Sequence, residues 1–303
     1  MRSRADPRRR ERGAAVVMAI LAVAVVATLV SGAFWQQNLL ARQAENELAY
    51  AQTKWLFRGA LDWIAVILRE DARASPVDHL GEAWAVPLAE TRLNENDGRD
   101  PAWLSGEIRD EQAKFNLRNL AGPAGASPSE VEALGRLLAL ANLDASLAEP
   151  IAKRMLAATA TKDEGGPGRL GLASVDDLLG FEGIDAAAVE RLRPLVTVLP
   201  QPTPVNANTA PAEVLAARIG NLSLSDARRL TSSRDRAYFR DRADVLNRLG
   251  ELKLAAGDAE IAVSTHFFSI EGRVTYLRAR LHGRALLRRD PGRVELLWLR
   301  EAA

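Results

Sequence analysis

The sequence predicts an α+β chain: one very long N-terminal helix, then an antiparallel sheet interrupted by an all-helical insert. Three observations carry this. Residues 14–41 contain no charged side chain, and apolar residues keep recurring at helical spacing to about residue 70. Alternation of period two appears in Trp103–Arg109 and returns after Ile261. Between them, residues 129–249 hold few aromatics and several short helical patterns with caps.

Composition narrows the function. At 303 residues, 48% hydrophobic and 26% charged, the chain has too much apolar content for intrinsic disorder. Forty Lys+Arg against 39 Asp+Glu give no general attraction to nucleic acid. The charge is uneven, however. Residues 1–13 hold six Arg against Asp6 and Glu11, which leaves the rest of the chain at a net −3. The absence of Cys excludes disulfides, thiolate metal sites, Cys nucleophiles and lipoprotein anchoring. His79, His266 and His282 are too scattered for a His-rich metal site.

The first element is the helix. Ala14–Trp35, almost wholly apolar, would reach roughly 33 Å at ~1.5 Å per residue, enough to cross a bilayer core. The six Arg place the N-terminus in the cytoplasm and the remainder outside. Three readings compete: a secretory signal cut after Ser31-Gly32-Ala33, an uncleaved anchor, or a basic leader cut on the cytoplasmic side between Gly13 and Ala14. The run is about twice the usual ~7–15 residues of a signal-peptide core, which disfavours the first. The helical pattern also continues. Gln36–Glu70 has no Pro and a single Gly, Gly59, with Leu48, Ala51, Trp55, Leu56, Ala60, Trp63, Ile64 and Ile67 expected on one face. A helix of ~85 Å that starts in a membrane and runs on amphipathically resembles the type IV pilin-like proteins, and favours the third reading.

The elements after it follow in order. Pro76 and the Gly81–Pro87 stretch end the helix. Short strands are expected in Ala83–Thr91 and Trp103–Leu117, and a linker at Gly122–Pro128. Helices are expected at Ser127–Leu140 with Ser127 as cap, Leu147–Ala158, after the cap Ser174–Asp177, at Asp185–Leu192, after a cap at Thr209–Glu213, and at Leu224–Arg234 and Arg242–Leu249. Phe268–Val274, Tyr276–Arg288 and Val294–Leu299 read as strands of a meander, with a turn at Asp290-Pro291-Gly292. Trp55, Trp63, Trp84, Trp103 and Trp298 are expected in the core.

The leader Arg12-Gly13-Ala14, the segment Asp110-Glu111-Gln112-Ala113-Lys114-Phe115-Asn116-Leu117, the run Pro204-Val205-Asn206-Ala207-Asn208-Thr209-Ala210 and Val263-Ser264-Thr265-His266-Phe267-Phe268 together resemble the general secretion pathway protein K family, minor pseudopilins of type II secretion. The resemblance covers nearly the whole chain. It implies a pilin-like helix packed on an antiparallel sheet, with a helical (SAM-like or helix-hairpin-helix-like) domain inserted between strands. The expected division is a cytoplasmic leader at 1–13, a transmembrane half-helix at 14–35, the periplasmic half-helix and first strands at 36–121, the insert at 122–262 and returning strands at 263–303.

The resemblance also implies prepilin peptidase cleavage between Gly13 and Ala14, and methylation of the new Ala14 amine. Most pilin-like proteins carry Glu at the fifth residue after the cut; here Met18 stands there, the departure that goes with a tip subunit. An unpaired carboxylate at that depth would cost at least ~2.5–3.5 kcal/mol. Implied partners are the other minor pseudopilins (I, J and H types), the major pseudopilin, the peptidase and the inner-membrane assembly platform, and the implied role is starting the filament for protein export. The implied location is a single-pass inner-membrane anchor with a periplasmic head. Family members that bind calcium have an acidic, aromatic loop after the second helix. Here that loop, Thr161–Gly168, offers Asp163 and Glu164, and calcium wants six to eight oxygens. A Ca2+ site completed by Asp176 or Asp177, or a solvated loop, are both open.

Two other classes are weighed. A nucleic-acid binder of a pilus-like DNA-uptake system is suggested by helix-hairpin-helix-like units at 178–192 and 205–230. Their hairpins, Phe181-Glu182-Gly183-Ile184 and Arg218-Ile219-Gly220-Asn221, have one Gly each, and Asp residues interleave the Arg run from Arg228 to Arg242. No nucleic-acid partner is expected. A hydrolase lacks any Gly-x-Ser-x-Gly, His-Glu-x-x-His or P-loop signature, and Asp176 and Asp177 would point about 100° apart on a helix, so no enzyme is expected.

Overall fold

The computed structural model describes residues 8–93, 100–122, 125–159, 172–249 and 261–301. Helix α1 runs from Arg8 to Ala74 without a break. With no Pro after residue 7 until Pro76, nothing removes a backbone donor, and the helix is roughly 100 Å long at ~1.5 Å per residue. Strands β1 (Leu88–Arg92), β2 (Ala102–Asp110), β3 (Phe267–Tyr276), β4 (Ala279–Asp290) and β5 (Arg293–Glu301) form one antiparallel sheet in the order β1-β2-β3-β4-β5. Between β2 and β3 the chain leaves to build α2 (Pro128–Leu140), α3 (Ala148–Thr159), α4 (Ala186–Leu192), α5 (Ala212–Arg218), α6 (Leu224–Arg236) and α7 (Arg242–Leu249). The split sheet with a long helix and a helical insertion is therefore the fold, as the pattern predicts.

The sheet's faces follow from period two. Leu104, Phe268, Ile270, Val274, Leu281, Ala285 and Leu287 point to α1, where Phe57, Leu61 and Leu68 meet them in one core. Phe57 is the anchor. Gly106, Gly272 and Gly283 stand opposite one another on three neighbouring strands, and the Phe57 ring lies over the last two. A Cβ on Gly272 would fall 2.9 Å from the ring, and one on Gly283 2.6 Å from it, so only glycine permits the approach. The helical unit has its own larger core, drawn from Phe115, Leu134, Leu137, Ile151, Leu192, Val214, Leu215 and Phe239, among others.

Several local expectations need correction. The buried stripe of α1 is Ala49, Thr53, Phe57, Leu61 and Leu68, flanked by half-buried Ala60 and Ile64; Leu48, Trp55 and Trp63 are exposed. Only Trp84 of the five expected core tryptophans is fully buried. Trp55 is 73% and Trp63 56% exposed, while Trp103 lies on the sheet surface and Trp298 is half-buried. Ala83–Ala85 is a 3-10 turn, so the first strand starts later, at Leu88.

The expected strand 110–117 breaks after Asp110. Its Oδ1 accepts from the Gln112 N–H, and Asn116 Oδ1 accepts from the Arg118 N–H, so each side chain bends the chain into a 3-10 turn. In the expected linker, Ala121-Gly122 pairs with Gly125-Ala126 as a tight hairpin, helped by Gly125 at φ +110°. Val175–Gly180 is likewise a 3-10 turn.

Candidate functional site

Two features stand out. The first is the bare helix. Every residue from Ala14 to Leu48 is exposed, and Ala14–Trp35 is long and apolar enough to cross a membrane. Gly13, Ala14 and Met18 lie within this continuous helix, and Met18 is 70% exposed. Further along, α1 has two apolar stripes. One is buried on the sheet. At 100° per residue, Leu48, Trp55, Gly59 and Val66 lie about 160–180° from Phe57, and Trp63 about 120° from it on the flank, all of them exposed. Next to Trp63 is an apolar groove of about 260 Å³, whose walls include Ile64, Val86, Leu88 and Leu104. Exposed apolar surface this continuous needs lipid or protein over it.

The second feature is the polar junction where the helical unit leaves and rejoins the sheet. Three segments singled out in the sequence (110–117, 204–210 and 263–268) converge there. Asp110, fully buried at the end of β2, accepts from Asn206 Nδ2 at 2.9 Å and from the Thr209 hydroxyl at 2.6 Å. Thr209 is therefore not a helix cap, and Pro211 holds that position for α5. Gln112 donates to the Pro204 carbonyl at 3.1 Å and accepts from the His266 N–H at 2.7 Å. Asn116 donates to the Gln201 carbonyl and to the Thr203 hydroxyl, and Asn119 both donates to and accepts from the Thr203 backbone. Asn208 donates to the Phe239 carbonyl and accepts from the Phe239 N–H, fixing the chain ahead of α7.

Two charged members of the junction carry no local sequence signal. Arg289 on β4 reaches Asp78, 211 residues earlier, with Nη2 2.6 Å from Oδ2, and also Asp71 at 2.9 Å and the Thr265 carbonyl at 3.0 Å. Both Arg289 and Asp78 are buried, and the guanidinium lies over the Phe268 ring. Asp78 also accepts from the Thr265 N–H, and its carbonyl takes the Asn206 amide. The carboxylates of Asp71, Asp78 and Glu82 lie within 4.8 Å of one another, as cation ligands would, but Arg289 already supplies positive charge to two of them.

Burial pushes the Asp110 carboxyl up to about 6, against the hydrogen bonds of Thr209, Asn206 and the Gln112 N–H. Asp71 is also raised to about 6, by burial and then by the charges of Glu82 and Asp78. The sign follows from these directions. Between the ordinary 3.8 and about 6, the folded state binds more protons than the unfolded chain, so these two groups add stability as pH falls from 7 toward 4.5. For Asp110 the difference is of order 3 kcal/mol. Urea unfolding at pH 5 and pH 7.5 checks this: the Asp110 contribution is larger at pH 5 and disappears in Asp110→Asn, whereas a wild-type-minus-variant difference that shrinks toward pH 5 would reverse the sign.

The remaining site residues are placed as follows. Asp163 and Glu164 lie outside the described residues. Asp176 pairs with Arg193 at 2.7 Å, and Asp177 accepts from the N–H groups of Ala173 and Ser174, so both carboxylates already have structural partners. The histidines are apart: His79 stacks on Tyr238, His266 Nδ1 meets the Arg289 carbonyl and His282 meets Glu271. At the two hairpins, Gly183 takes φ +88°, and Arg218 is buried in a pair with Glu130.

Comparison with known proteins agrees with this architecture. Residues 113–201 and 205–264 match two family models, each described as type II secretion system (T2SS), protein K. The chain is 30% identical to the type II secretion system protein K of Pseudomonas aeruginosa, over 88% of this chain and 86% of that protein. It is 31% identical to the Klebsiella pneumoniae protein of the same name, over 93% of each. Among solved structures, the complex of GspK, GspI and GspJ from enterotoxigenic Escherichia coli contains a chain with the same fold, at a TM-score of 0.71 and 22% identity, covering 86% of this chain and 99% of that one. A membrane-length bare helix, a split sheet and a helical insertion riveted to it by the matched segments thus go with substantial identity along most of the chain, which belongs to the type II secretion system protein K family.

Proposed function

We propose that the chain is a minor pseudopilin that assembles with other minor pseudopilins at the pseudopilus tip, starts the filament and supports protein export. One observation carries the reading: α1 keeps a second apolar stripe, opposite the one that holds the head, in line with a bare membrane-length helix. A single head needs one stripe, and a second stripe needs another helix. The similar structure from Escherichia coli is a complex with GspI and GspJ, which supports I- and J-type subunits as the partners here. In this reading the peptidase cuts between Gly13 and Ala14, and the Ala14 amine is methylated. Met18 removes the carboxylate that a neighbour above would pair, and the head is held outside the inner membrane. The H-type and major pseudopilins and the assembly platform complete the set of partners. Any calcium at Asp163 and Glu164 belongs to this proposal as well.

The alternative, a nucleic-acid binder, is less well supported, because Arg218 at the second hairpin is engaged with Glu130 inside the fold. The test is a double substitution, Trp55→Ala with Trp63→Ala. Both side chains are exposed, so melting of the head changes by less than about 1 kcal/mol. Co-purification with the other minor pseudopilins and secretion in a complemented strain are expected to fall by at least tenfold (about 1.4 kcal/mol). Unchanged co-purification would sink the stripe as the assembly face.

A further inference from the structure

One stretch of the helical unit carries a local positive excess, although the unit as a whole (residues 122–262) is net negative. Residues 228–248 hold seven Arg against three Asp, in a chain that is net negative after residue 13. Four of the seven are engaged. Arg228 faces Glu213 at 3.8 Å, and Arg229 pairs with Asp226. Arg234 is buried and donates to the carbonyls of Ala207 and Ala210 at 2.9 and 2.6 Å. Arg248 pairs with Asp244 at 2.9 Å and donates to the Ala237 carbonyl at 2.7 Å.

The carboxylates are engaged too. Asp235 lies 3.4 Å from Arg234 Nε, Asp241 caps the Asp244 N–H at 2.8 Å, and Asp244 holds Arg248. That leaves Arg236, Arg240 and Arg242. All three are exposed, and among the described residues none makes a side-chain hydrogen bond or ion pair; Arg240 acts on Asp244 only at longer range. They flank Tyr238, itself 43% exposed, whose ring stacks on His79 at 4.1 Å between centroids.

Guanidinium forks beside a stacked aromatic pair fit carboxylates or phosphates. Position chooses between them. His79 comes five residues after the end of α1, so the loop sits at the end of the helix away from its apolar span. From Gln36 to Ala74 the helix covers roughly 58 Å, far beyond a Debye length of ~8 Å, so lipid around the anchor is out of range. Three exposed Arg are also few for a duplex, where each neutralised phosphate adds only one increment to affinity. We infer that the connection between α6 and α7, through Arg236, Arg240 and Arg242, is a docking surface for a carboxylate-rich protein face on the membrane-distal side.

The test uses the full chain in neutral detergent micelles. Fluorescent poly-L-glutamate is the probe, with duplex DNA and phosphatidylglycerol vesicles as competitors, at two salt concentrations. The triple substitution Arg236→Ala, Arg240→Ala and Arg242→Ala is expected to weaken poly-L-glutamate binding by about tenfold or more and to flatten its salt dependence. Arg229→Ala, which removes an arginine already paired, changes it less than about twofold, and both variants melt with the wild type. Equal affinity of wild type and triple variant, or no binding by the wild type, overturns the assignment. Tighter binding to DNA or vesicles that depends on the same three Arg overturns it as well, and reassigns the loop to phosphate.

Discussion

Arg289→Met is expected to destabilise the folded head by about 3–5 kcal/mol, because it leaves a buried carboxylate without its cation. Asp78 is 2% exposed, and Arg289 gives it two short contacts while also holding Asp71 and the Thr265 carbonyl. In the variant the Asp78 carboxylate keeps, among the described residues, only the Thr265 N–H as a donor. Arg289→Lys recovers part of the loss, since one ammonium cannot span two carboxylates and a carbonyl in the fork geometry. Adding Asp78→Asn to Arg289→Met also recovers part, by removing the stranded charge. Urea unfolding of the three variants beside the wild type measures all of this, and Arg289→Met within 1 kcal/mol of wild type would contradict it.

Gly283→Ala is the second large effect, and its size depends on Phe57. The added Cβ would lie 2.6 Å from the end of the ring, which neither the sheet nor the anchored helix can yield without shifting. Overpacking of this kind costs ~1–3 kcal/mol. Phe57→Ala alone empties the centre of the helix–sheet core and costs ~3–5 kcal/mol. The double variant is expected to lose less than the sum, since without the ring the alanine methyl fills part of the space. Strict additivity in thermal or urea unfolding would show that the ring and the glycine do not meet.

The legible parts of the fold were those with a local cause. An uncharged run of 28 residues, Ala14–Ala41, can hardly be anything but an apolar helix, and the Asp290-Pro291-Gly292 turn marks the last hairpin, with Gly292 at φ +76°. The stripe of α1 that faces the sheet is not the one the strongest hydrophobes mark, because tryptophan dominates an apolar pattern wherever it points. Periodicity reports an apolar face without saying whether a head or a neighbouring subunit covers it. Trp55 and Trp63 therefore pointed to the outward stripe, while the smaller Ala49, Thr53 and Leu61 mark the inward one.

The junction was half visible. Asp110, Asn206 and Thr209 lie in segments with a recognisable pattern. Asp78 and Arg289 do not, because their pairing spans 211 residues and leaves no local period. The break at Asp110 does have a local signal: an Asp whose carboxylate can accept the N–H two residues on forms a turn as readily as it ends a strand.

The most direct measurement is intact mass with N-terminal sequencing of the protein taken from membranes, in cells with and without prepilin peptidase. A subunit of the proposed kind begins at Ala14, carries one methyl group on that amine, and does so only when the peptidase is present. A start at Phe34 would make the apolar run a removed secretory signal, and an uncut Met1 in peptidase-positive cells would make it a plain anchor; either would contradict assembly through α1 as a processed pseudopilin helix.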